Sequence, residues 1–192
     1  MLQIRIHGRG GQGVVTAAEM LALAGFMEGH HAQAFPSLGS ERTGAPVVAF
    51  ARLAPHDIRL REPVLEPDVV LIQDRTLLDS VDVFSGLRPE GYVLINSGAT
   101  PEELGLNDLL TRLPAGHLLT IPATRFAMEK IGRPLPGAGM LAGMAAMTGT
   151  MKLESVIAAY NEKFSGRVAE ANADVARLAF EAVMVAKGES HA

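Results

Sequence analysis

A glycine-rich segment at residues 8–13, Gly-Arg-Gly-Gly-Gln-Gly, has the residue types and spacing of an anion-binding loop. Its glycines match G-x-G-x-x-G, and it lies between runs that predict a strand over 2–7 and a helix over 13–28. Glycines let the backbone approach an anion, which then binds the free N–H groups at the positive end of the helix. The alternative is that the glycines only let a strand and a helix pack closely. The candidate binding residues of this loop are Gly8, Gly10, Gly11, Gln12 and Gly13.

An acidic residue is missing from the place where a nicotinamide dinucleotide usually requires one. The second predicted strand, residues 31–35, ends in Phe35-Pro36. Dinucleotide-binding domains usually carry Asp or Glu at this position, where it binds the ribose hydroxyls. Glu28 precedes the strand and does not fill this role. The sequence therefore disfavours a nicotinamide cofactor and leaves another phosphate-bearing ligand as the prediction.

A polar loop follows the second strand and is bounded by Pro36 and Pro46. Open α/β sheets bind ligands outside the carboxyl ends of their strands, so we expect the loops after the first two strands to share one crevice. Arg42 would then bind a phosphate or a carboxylate of a partner through two parallel hydrogen bonds. The alternative is an exposed Arg42–Glu41 ion pair that contributes ~0–1 kcal/mol. The candidate binding residues of this loop are Ser40, Glu41, Arg42 and Thr43.

The composition excludes several classes of function. The chain has 192 residues, 48% of them hydrophobic, a formal net charge of −4 and no cysteine. The length suits one domain, and the mild acidity disfavours nucleic acid as a partner. Without thiolates the chain cannot ligate an iron–sulfur cluster in the usual way or form a disulfide. We find neither a signal peptide nor a membrane-spanning run, so the expected location is the cytoplasm.

The sequence contains no recognisable catalytic or metal-binding pattern, and we assign no residue to catalysis or to a metal ion. It lacks a Gly-x-Ser-x-Gly elbow, and His30 and His31, adjacent on a strand, point to opposite faces. Glu41 has no partner acid or base nearby. His7, at the end of the first strand, either contacts a phosphate or caps the strand in solvent. The residues are therefore typical of binding and docking.

Four methionines with helical spacing, Met140, Met144, Met147 and Met151, predict an apolar stripe on one helix. Such a stripe either belongs to the core or contacts a partner subunit, because methionine also suits adaptable interfaces. The first helix is apolar nearly all round, and we expect it to be largely buried.

The pattern along the chain predicts a single three-layer α/β/α domain over residues 1–192. Its sheet is mostly parallel, with an antiparallel strand at 47–53, and a helical segment closes the chain. The predicted strands are 2–7, 31–35, 47–53, 68–73, 92–96 and 118–121, and the predicted helices are 13–28, 76–84, 123–131, 138–149, 153–164 and 167–187.

Two motifs together carry a resemblance to a known family. Residues 8–18 (GRGGQGVVTAA) and 35–47 (FPSLGSERTGAPV) closely resemble the gamma subunit of the 2-oxoacid:ferredoxin oxidoreductases, such as pyruvate:ferredoxin oxidoreductase. The similarity continues through Glu66-Pro67-Asp68 and Glu170-Ala171-Asn172, so it covers nearly the whole chain. One stretch departs from the family pattern: an Asn-x-x-x-Leu-Gly-Ala-like helix start is replaced here by residues 137–144 (GAGMLAGM).

The resemblance implies an enzyme assembled from several chains. Members convert a 2-oxoacid and coenzyme A to acyl-CoA and carbon dioxide while reducing ferredoxin or a similar acceptor. It implies alpha-, beta- and delta-type partner subunits that carry thiamine diphosphate and [4Fe-4S] clusters, with no cofactor bound by this chain alone. The gamma-type chain would cover the active-site entrance and help bind coenzyme A.

In that role, the coenzyme A pyrophosphate would lie on Gly10, Gly11 and Gly13, near Ser40, Arg42 and Thr43. Arg42 would contact either coenzyme A or a neighbouring subunit. The resemblance leaves the 2-oxoacid open among pyruvate, 2-oxoglutarate, branched-chain, indolic and aryl glyoxylate substrates, and it leaves the final acceptor open as well. The competing functions are a stand-alone nucleotide- or coenzyme-A-binding protein and a purely structural assembly module.

Overall fold

Six strands form one sheet in the computed structural model, which describes residues 1–37 and 43–190. In chain order they are β1 (Leu2–Arg9), β2 (His31–Pro36), β3 (Pro46–Ala54), β4 (Val69–Ile72), β5 (Tyr92–Asn96) and β6 (Leu118–Ile121). Their order across the sheet is β2-β3-β1-β4-β5-β6. β1, β4, β5 and β6 are parallel, whereas β3 runs antiparallel to both of its neighbours. The predicted, mostly parallel sheet with an antiparallel third strand is confirmed.

The position of β3 corrects one expectation about the sheet. We expected the first two strands to be adjacent, but β3 lies between them and pairs with each. Because β3 is antiparallel to both, the carboxyl ends of β1 and β2 still lie at the same edge. The chain returns from β2 to β3 at that edge, where the Gly10 N–H donates to Ala45 O at 2.9 Å and the Gly44 N–H donates to Gly10 O at 3.0 Å.

Helices cover one face of the sheet with a thick layer. These are α1 (Val14–Met27), α3 (Ala123–Lys130), α4 (Gly137–Thr148), α5 (Leu153–Lys163) and α6 (Gly166–Ser190). α1 packs on β2, β3 and α5. The other face is covered over β4–β6 by a 3₁₀ helix (Arg75–Asp79) and the short helix α2 (Asn107–Arg112). Within the described ranges no helix is both long and apolar enough to cross a membrane.

The helix predicted over residues 76–84 is wrong beyond its first turn. The structure has only the five-residue 3₁₀ helix there, followed by turns. The carbonyl oxygens of Val83 and Ser85 accept hydrogen bonds from the Arg5 guanidinium, at 2.9 and 2.6 Å. Gly86 then takes a φ of +70°, a conformation that ends helical structure. Tertiary contacts therefore replace the helical hydrogen bonds that the local pattern predicts.

The methionine stripe belongs to the core. Met140, Met144, Met147 and Met151 are at most 5% exposed, and every residue of α4 from 137 to 147 is buried. α4 lies between the sheet and α6, and a Cβ on Gly143 would meet Leu94 at 2.8 Å and Val183 at 3.3 Å. The alternative, that this stripe contacts a partner subunit, is excluded by this burial.

Candidate functional site

A crevice lies at the carboxyl edge of the sheet, at the point where the connections that follow neighbouring strands leave in opposite directions. From β1 the chain passes through α1 to β2 on one side, whereas β4 lies on the other side of β1. The glycine loop leaves the end of β1, and Gln73 and Asp74 follow the end of β4. Ligands of open α/β sheets bind at this kind of switch point, so the glycine loop lies where the fold class places its sites.

The glycines of the loop serve different purposes. Gly11 has a φ of +94° and Gly13 a φ of +72°, which side-chain-bearing residues rarely adopt. Gly8 lies within β1, where an added Cβ would stand 2.5 Å from the Val14 side chain. Gly8 is therefore required for close packing of strand and helix, whereas Gly11 and Gly13 are required for the turn that leads into α1.

Only part of the loop has N–H groups free to bind an anion. The Gly10 N–H is used by Ala45, and the Gln12 N–H donates to Arg9 O at 3.1 Å. The first bond of α1 is from the Ala17 N–H to Gly13 O. Within residues 1–37 and 43–190, no partner accepts from the N–H groups of Gly11, Gly13 or the first turn of α1, residues 14–16. These groups make the start of α1 a cradle for negative charge.

Gln12 holds the loop in place and does not project a free amide toward a ligand. Its Oε1 accepts from the Arg9 N–H at 2.7 Å, and its Nε2 donates to Asp74 Oδ2 at 2.8 Å. The Arg9 guanidinium donates to Thr76 Oγ1 at 2.8 Å and to Gly44 O at 3.0 Å. This network joins the glycine loop to the end of β4 and to the chain entering β3.

Asp74 is the acidic member of this network. Burial opposes its ionisation, but hydrogen bonds from Thr76 and Gln12 outweigh that effect and, together with Arg9, hold its pKa below the ordinary value. Its Oδ1 accepts from the Thr76 N–H at 3.0 Å and thereby caps the 3₁₀ helix. Asp74 is therefore a charged structural anchor at neutral pH.

The structure brings the two sequence motifs together at one residue pair. Thr43 forms an isolated parallel bridge with Gly10, so the loop before β3 contacts the glycine loop as expected. The other candidate residues of that loop, Ser40, Glu41 and Arg42, lie outside the described residues. The two loops therefore meet as expected, although they do so through β3 and not through adjacent parallel strands.

Sequence reasoning missed the residues at the ends of β4 and β5. Asn96 Nδ2 donates to Gln73 O at 2.8 Å and to Thr124 Oγ1 at 2.7 Å, and its Oδ1 accepts from the Thr124 N–H. The Gln73 side chain is 1% exposed, and neither of its amide atoms has a partner among the described residues. The available signal was their position directly after apolar strands, where α/β sheets place their ligands.

Basic side chains surround this edge of the sheet. The crevice beside Gln73 and Asn96 has a volume of about 480 Å³, and Arg75 and Arg125 line it. Neither guanidinium pairs with an acid within the part of the chain that the structure describes. Asp74 also lines this crevice but is paired with Arg9 at 3.5 Å, so an anion at the start of α1 would still meet a net positive local field.

His7 is buried, so the cap in solvent that was considered for it from sequence is wrong. It is 4% exposed, and its Nε2 accepts a hydrogen bond from Arg5 Nε at 3.0 Å. Burial, assisted by the Arg5 charge, lowers the pKa of His7 to about 4. The imidazole is thus neutral at physiological pH and lies inside the protein, away from solvent.

Metal-binding geometry does not occur in the described ranges, where no three His, Asp or Glu side chains converge on one point. The described residues form an α/β domain with a crevice at its topological switch point, beside the free N–H groups at the start of α1. The hydroxyl–carboxylate contact of this crevice, from Thr76 Oγ1 to Asp74 Oδ1 at 2.6 Å, belongs to the cap of the 3₁₀ helix.

Comparisons with known proteins place this domain in a family. Residues 3–182 match the family described as pyruvate ferredoxin/flavodoxin oxidoreductase. The chain is 46% identical over 185 residues to the common subunit gamma of the pyruvate/ketoisovalerate oxidoreductases of Thermococcus litoralis, covering 96% of this chain and 98% of that one. It is also 46% identical over 181 residues to pyruvate synthase subunit PorC of Methanothermobacter marburgensis, covering 94% and 97%.

A solved structure supports the same assignment. Pyruvate oxidoreductase subunit PORC of Thermotoga maritima superposes with a TM-score of 0.78 at 34% identity and covers 94% of this chain and 95% of its own. The chain therefore belongs to the pyruvate ferredoxin/flavodoxin oxidoreductase family, as a gamma-type subunit of a 2-oxoacid oxidoreductase.

Proposed function

We propose that this chain is the accessory subunit that covers the active-site entrance of a cytoplasmic 2-oxoacid oxidoreductase and binds the diphosphate of coenzyme A. The observation that carries the proposal is the set of free N–H groups at Gly11, Gly13 and residues 14–16, at the positive end of α1. A diphosphate is the anion that such a cradle suits best, because several aligned donors and a helix dipole favour concentrated negative charge.

The complex would combine 2-oxoacid and coenzyme A into acyl-CoA and carbon dioxide and pass two electrons to ferredoxin or a similar acceptor. Alpha-, beta- and delta-type partner subunits would carry thiamine diphosphate, which supplies the electron sink for carbon–carbon cleavage. They would also carry the [4Fe-4S] clusters, since this chain has no cysteine to ligate one.

The charges around the crevice support coenzyme A over a neutral ligand. Arg75 and Arg125 line the space beside the loop and have no acidic partner among the described residues. Arg9, in contrast, is engaged by Asp74 and Thr76. These two guanidiniums, which have no acidic partner, would bind the further phosphate of coenzyme A, while the helix start binds the diphosphate. Arg42 and its neighbours would complete the site from the loop before β3.

A matched pair of glycine substitutions tests the diphosphate position. Gly13 and Gly149 both cap a helix with a left-handed φ, +72° and +66°, and neither has an atom within 4 Å of an added Cβ. Gly13→Ala and Gly149→Ala should therefore cost similar backbone strain, on the order of 1 kcal/mol. Only Gly13→Ala alters the cradle.

In the assembled oxidoreductase, we expect Gly13→Ala to raise KM for coenzyme A about tenfold or more, the scale of one hydrogen bond to a charged group. The coenzyme-A-independent decarboxylation of the 2-oxoacid should be unchanged, and Gly149→Ala should leave both quantities as in the parent. An equal effect of the two substitutions on KM would overturn the proposed diphosphate position.

A further inference from the structure

One edge of the sheet is open along its outermost strand, β2. The strand order ends at β2, which pairs with β3 on its inner side only, as far as the described residues go. An edge strand presents a row of unpaired N–H and C=O groups, which proteins usually shield with charges, prolines or a covering segment. Without such a shield, an extended segment of another chain can add to the sheet through main-chain hydrogen bonds.

The hydrogen-bond pattern fixes which groups of β2 face outward. The Ser37 N–H donates to Val48 O at 2.8 Å and continues the register in which β2 pairs with β3. In an antiparallel pair, residues that exchange hydrogen bonds alternate with residues whose N–H and C=O groups point away from the partner strand. Counted back from Ser37, the odd-numbered residues of β2 bond to β3. The outward-facing residues are therefore Ala32, Ala34 and Pro36.

These outward positions carry almost none of the usual shields. Ala32 and Ala34 have short, uncharged side chains that pack against the main core, so no charge guards the edge at either position. Pro36 has no N–H and offers only its carbonyl oxygen. The open edge thus presents two N–H donors, at Ala32 and Ala34, and the carbonyl acceptors of the same strand.

Grooves beside β2 leave room for an extended segment along the whole strand. One groove, of about 830 Å³, is lined by residues 29–33 and 57–59 together with Arg61. The other, of about 640 Å³, is lined by residues 33–37 and again by Arg61. The two grooves share Arg61 and together accompany β2 from its first residue to its last.

The charges of these grooves indicate the chemistry of the segment that would occupy them. Arg59 and Arg61 are exposed, and neither pairs with an acid in the described ranges. Asp57 also lines the first groove, but it pairs with His31 at 3.0 Å. Phe26, at the end of α1, is 68% exposed beside the same groove. Carboxylates would therefore meet two unpaired guanidiniums, and an apolar side chain would cover the phenyl ring.

A second copy of this chain does not supply these groups through its own β2. Residues 31–36, His-Ala-Gln-Ala-Phe-Pro, contain no carboxylate for Arg59 or Arg61, and Pro36 would remove one donor from each strand of such a pair. We propose that β2 is the docking edge for another subunit of the oxidoreductase, which adds an acidic extended segment as a seventh strand of the sheet. This inference goes beyond the proposed function, because it requires neither the glycine loop nor coenzyme A.

Amide hydrogen exchange tests the strand addition residue by residue. In the isolated chain, the N–H groups of Ala32 and Ala34 should exchange fast, whereas those of Gln33 and Phe35, which bond to β3, should exchange slowly. In the assembled oxidoreductase we expect Ala32 and Ala34 to be protected at least about tenfold more. Mass spectrometry with electron-transfer fragmentation resolves neighbouring residues.

Two results of this measurement would overturn the proposal. One is exchange at Ala32 and Ala34 that does not change on assembly. The other is protection of both positions that already appears in the isolated chain, grows with its concentration and accompanies a dimer mass, because a second copy then occupies the edge.

Substitution of Ala34 tests the edge without disturbing the bonds to β3. Ala34→Pro removes one outward N–H, and Ala34→Ser retains it and serves as the control. In reconstitution with the remaining subunits, we expect Ala34→Pro to weaken binding about tenfold and Ala34→Ser to bind like the parent. A folded Ala34→Pro chain, with the circular dichroism spectrum of the parent, that binds as tightly as the parent would overturn the proposal.

Charge reversal tests the acidic character of the partner segment and does not depend on how Ala34→Pro folds. Arg59→Glu combined with Arg61→Glu should weaken binding to the remaining subunits at least about tenfold. The control combines Arg112→Glu with Arg167→Glu, two exposed arginines without an acidic partner among the described residues, and should bind like the parent. Equal binding of both double variants would overturn the proposal.

The readouts separate this inference from the proposed function. Gly13→Ala is measured by KM for coenzyme A in complexes that are already assembled, whereas the β2 variants are measured by the affinity of assembly. Failure of the Gly13→Ala prediction leaves the docking edge in place, and failure of the β2 predictions leaves the diphosphate position in place.

Discussion

Replacement of His7 by glutamine should remove the part of the pH dependence of folding stability that comes from this buried imidazole. His7 is 4% exposed and accepts a hydrogen bond from Arg5, and burial together with that cation lowers its pKa to about 4. The unfolded chain has an ordinary histidine, with a pKa of about 6.5. The folded state therefore resists protonation over a window in which the unfolded state accepts it.

The direction of the effect follows from proton linkage. The unfolded chain binds a proton at His7 below about pH 6.5, whereas the folded chain does so only near pH 4. The free energy of unfolding is therefore highest above about pH 6.5 and falls as the pH is lowered toward 4. One pKa unit corresponds to about 1.36 kcal/mol, so His7 accounts for a loss of about 3 kcal/mol in the free energy of unfolding between pH 7 and pH 4. That is a large part of the total stability of a domain, usually ~5–15 kcal/mol.

The measurement is urea unfolding of the parent chain, His7→Gln and His56→Gln at pH 7 and pH 4. Far-ultraviolet circular dichroism is the suitable probe, because the chain has no tryptophan. Glutamine retains a carbonyl that can accept from Arg5 but does not titrate, so His7→Gln should lose about 3 kcal/mol less than the parent over this interval. Carboxylates contribute equally to both chains and cancel in the comparison.

His56 is exposed and serves as the control, so His56→Gln should behave like the parent. If His7→Gln loses as much stability as the parent between pH 7 and pH 4, the assignment of the pH dependence to the buried imidazole is refuted. A parent whose stability is flat over the interval would refute it as well.

Three further predictions concern the core, the cofactors and the loop before β3. Met144→Ala should lower the free energy of unfolding by ~2–5 kcal/mol, because Met144 is 0% exposed. The control Met184→Ala, at a site 49% exposed, should change it by less than ~0.5 kcal/mol. Equal effects of the two substitutions in urea unfolding would contradict the core position of Met144. The purified single chain should contain no iron by metal analysis and show no 2-oxoacid oxidation, because it has no cysteine. Detection of a bound cluster would contradict this prediction. Arg42→Ala should either raise KM for coenzyme A by about ten- to a hundredfold or loosen the complex in size-exclusion chromatography. An unaltered KM in a fully assembled complex would reject both roles of Arg42.

Local features of this protein could be predicted from the sequence because they depend on short-range geometry. Gly11 and Gly13 follow an apolar strand and precede an apolar helix, and the backbone turn between them requires residues that tolerate a positive φ. The spacing of the methionines predicts one helical face, and the missing cysteines exclude a thiolate-bound cluster. The two motifs, read together, also indicated the family that the comparisons later showed.

The division of labour within the site was decided by tertiary structure. Whether the Gly10 N–H is free depends on β3, which pairs with β1 and brings Ala45 to the loop. Gly8 serves packing because the Val14 side chain of α1 lies directly over it. His7 lies buried beside Arg5, whose guanidinium donates to carbonyl oxygens of the segment after β4. None of these contacts is encoded by spacing along the chain.

The same reason explains why a cleft of about 250 Å³ beside the glycine loop, on the helical face of the sheet, could not be found from sequence. Tyr160 and Asn172 lie on different helices, and they share a wall with Thr16 of α1 only after three helices pack on one face of the sheet. Sequence patterns specify which side of each helix is apolar, because that depends on periods of three to four residues. Which polar atoms lose their partners depends on how separate elements pack, and that is set by long-range contacts.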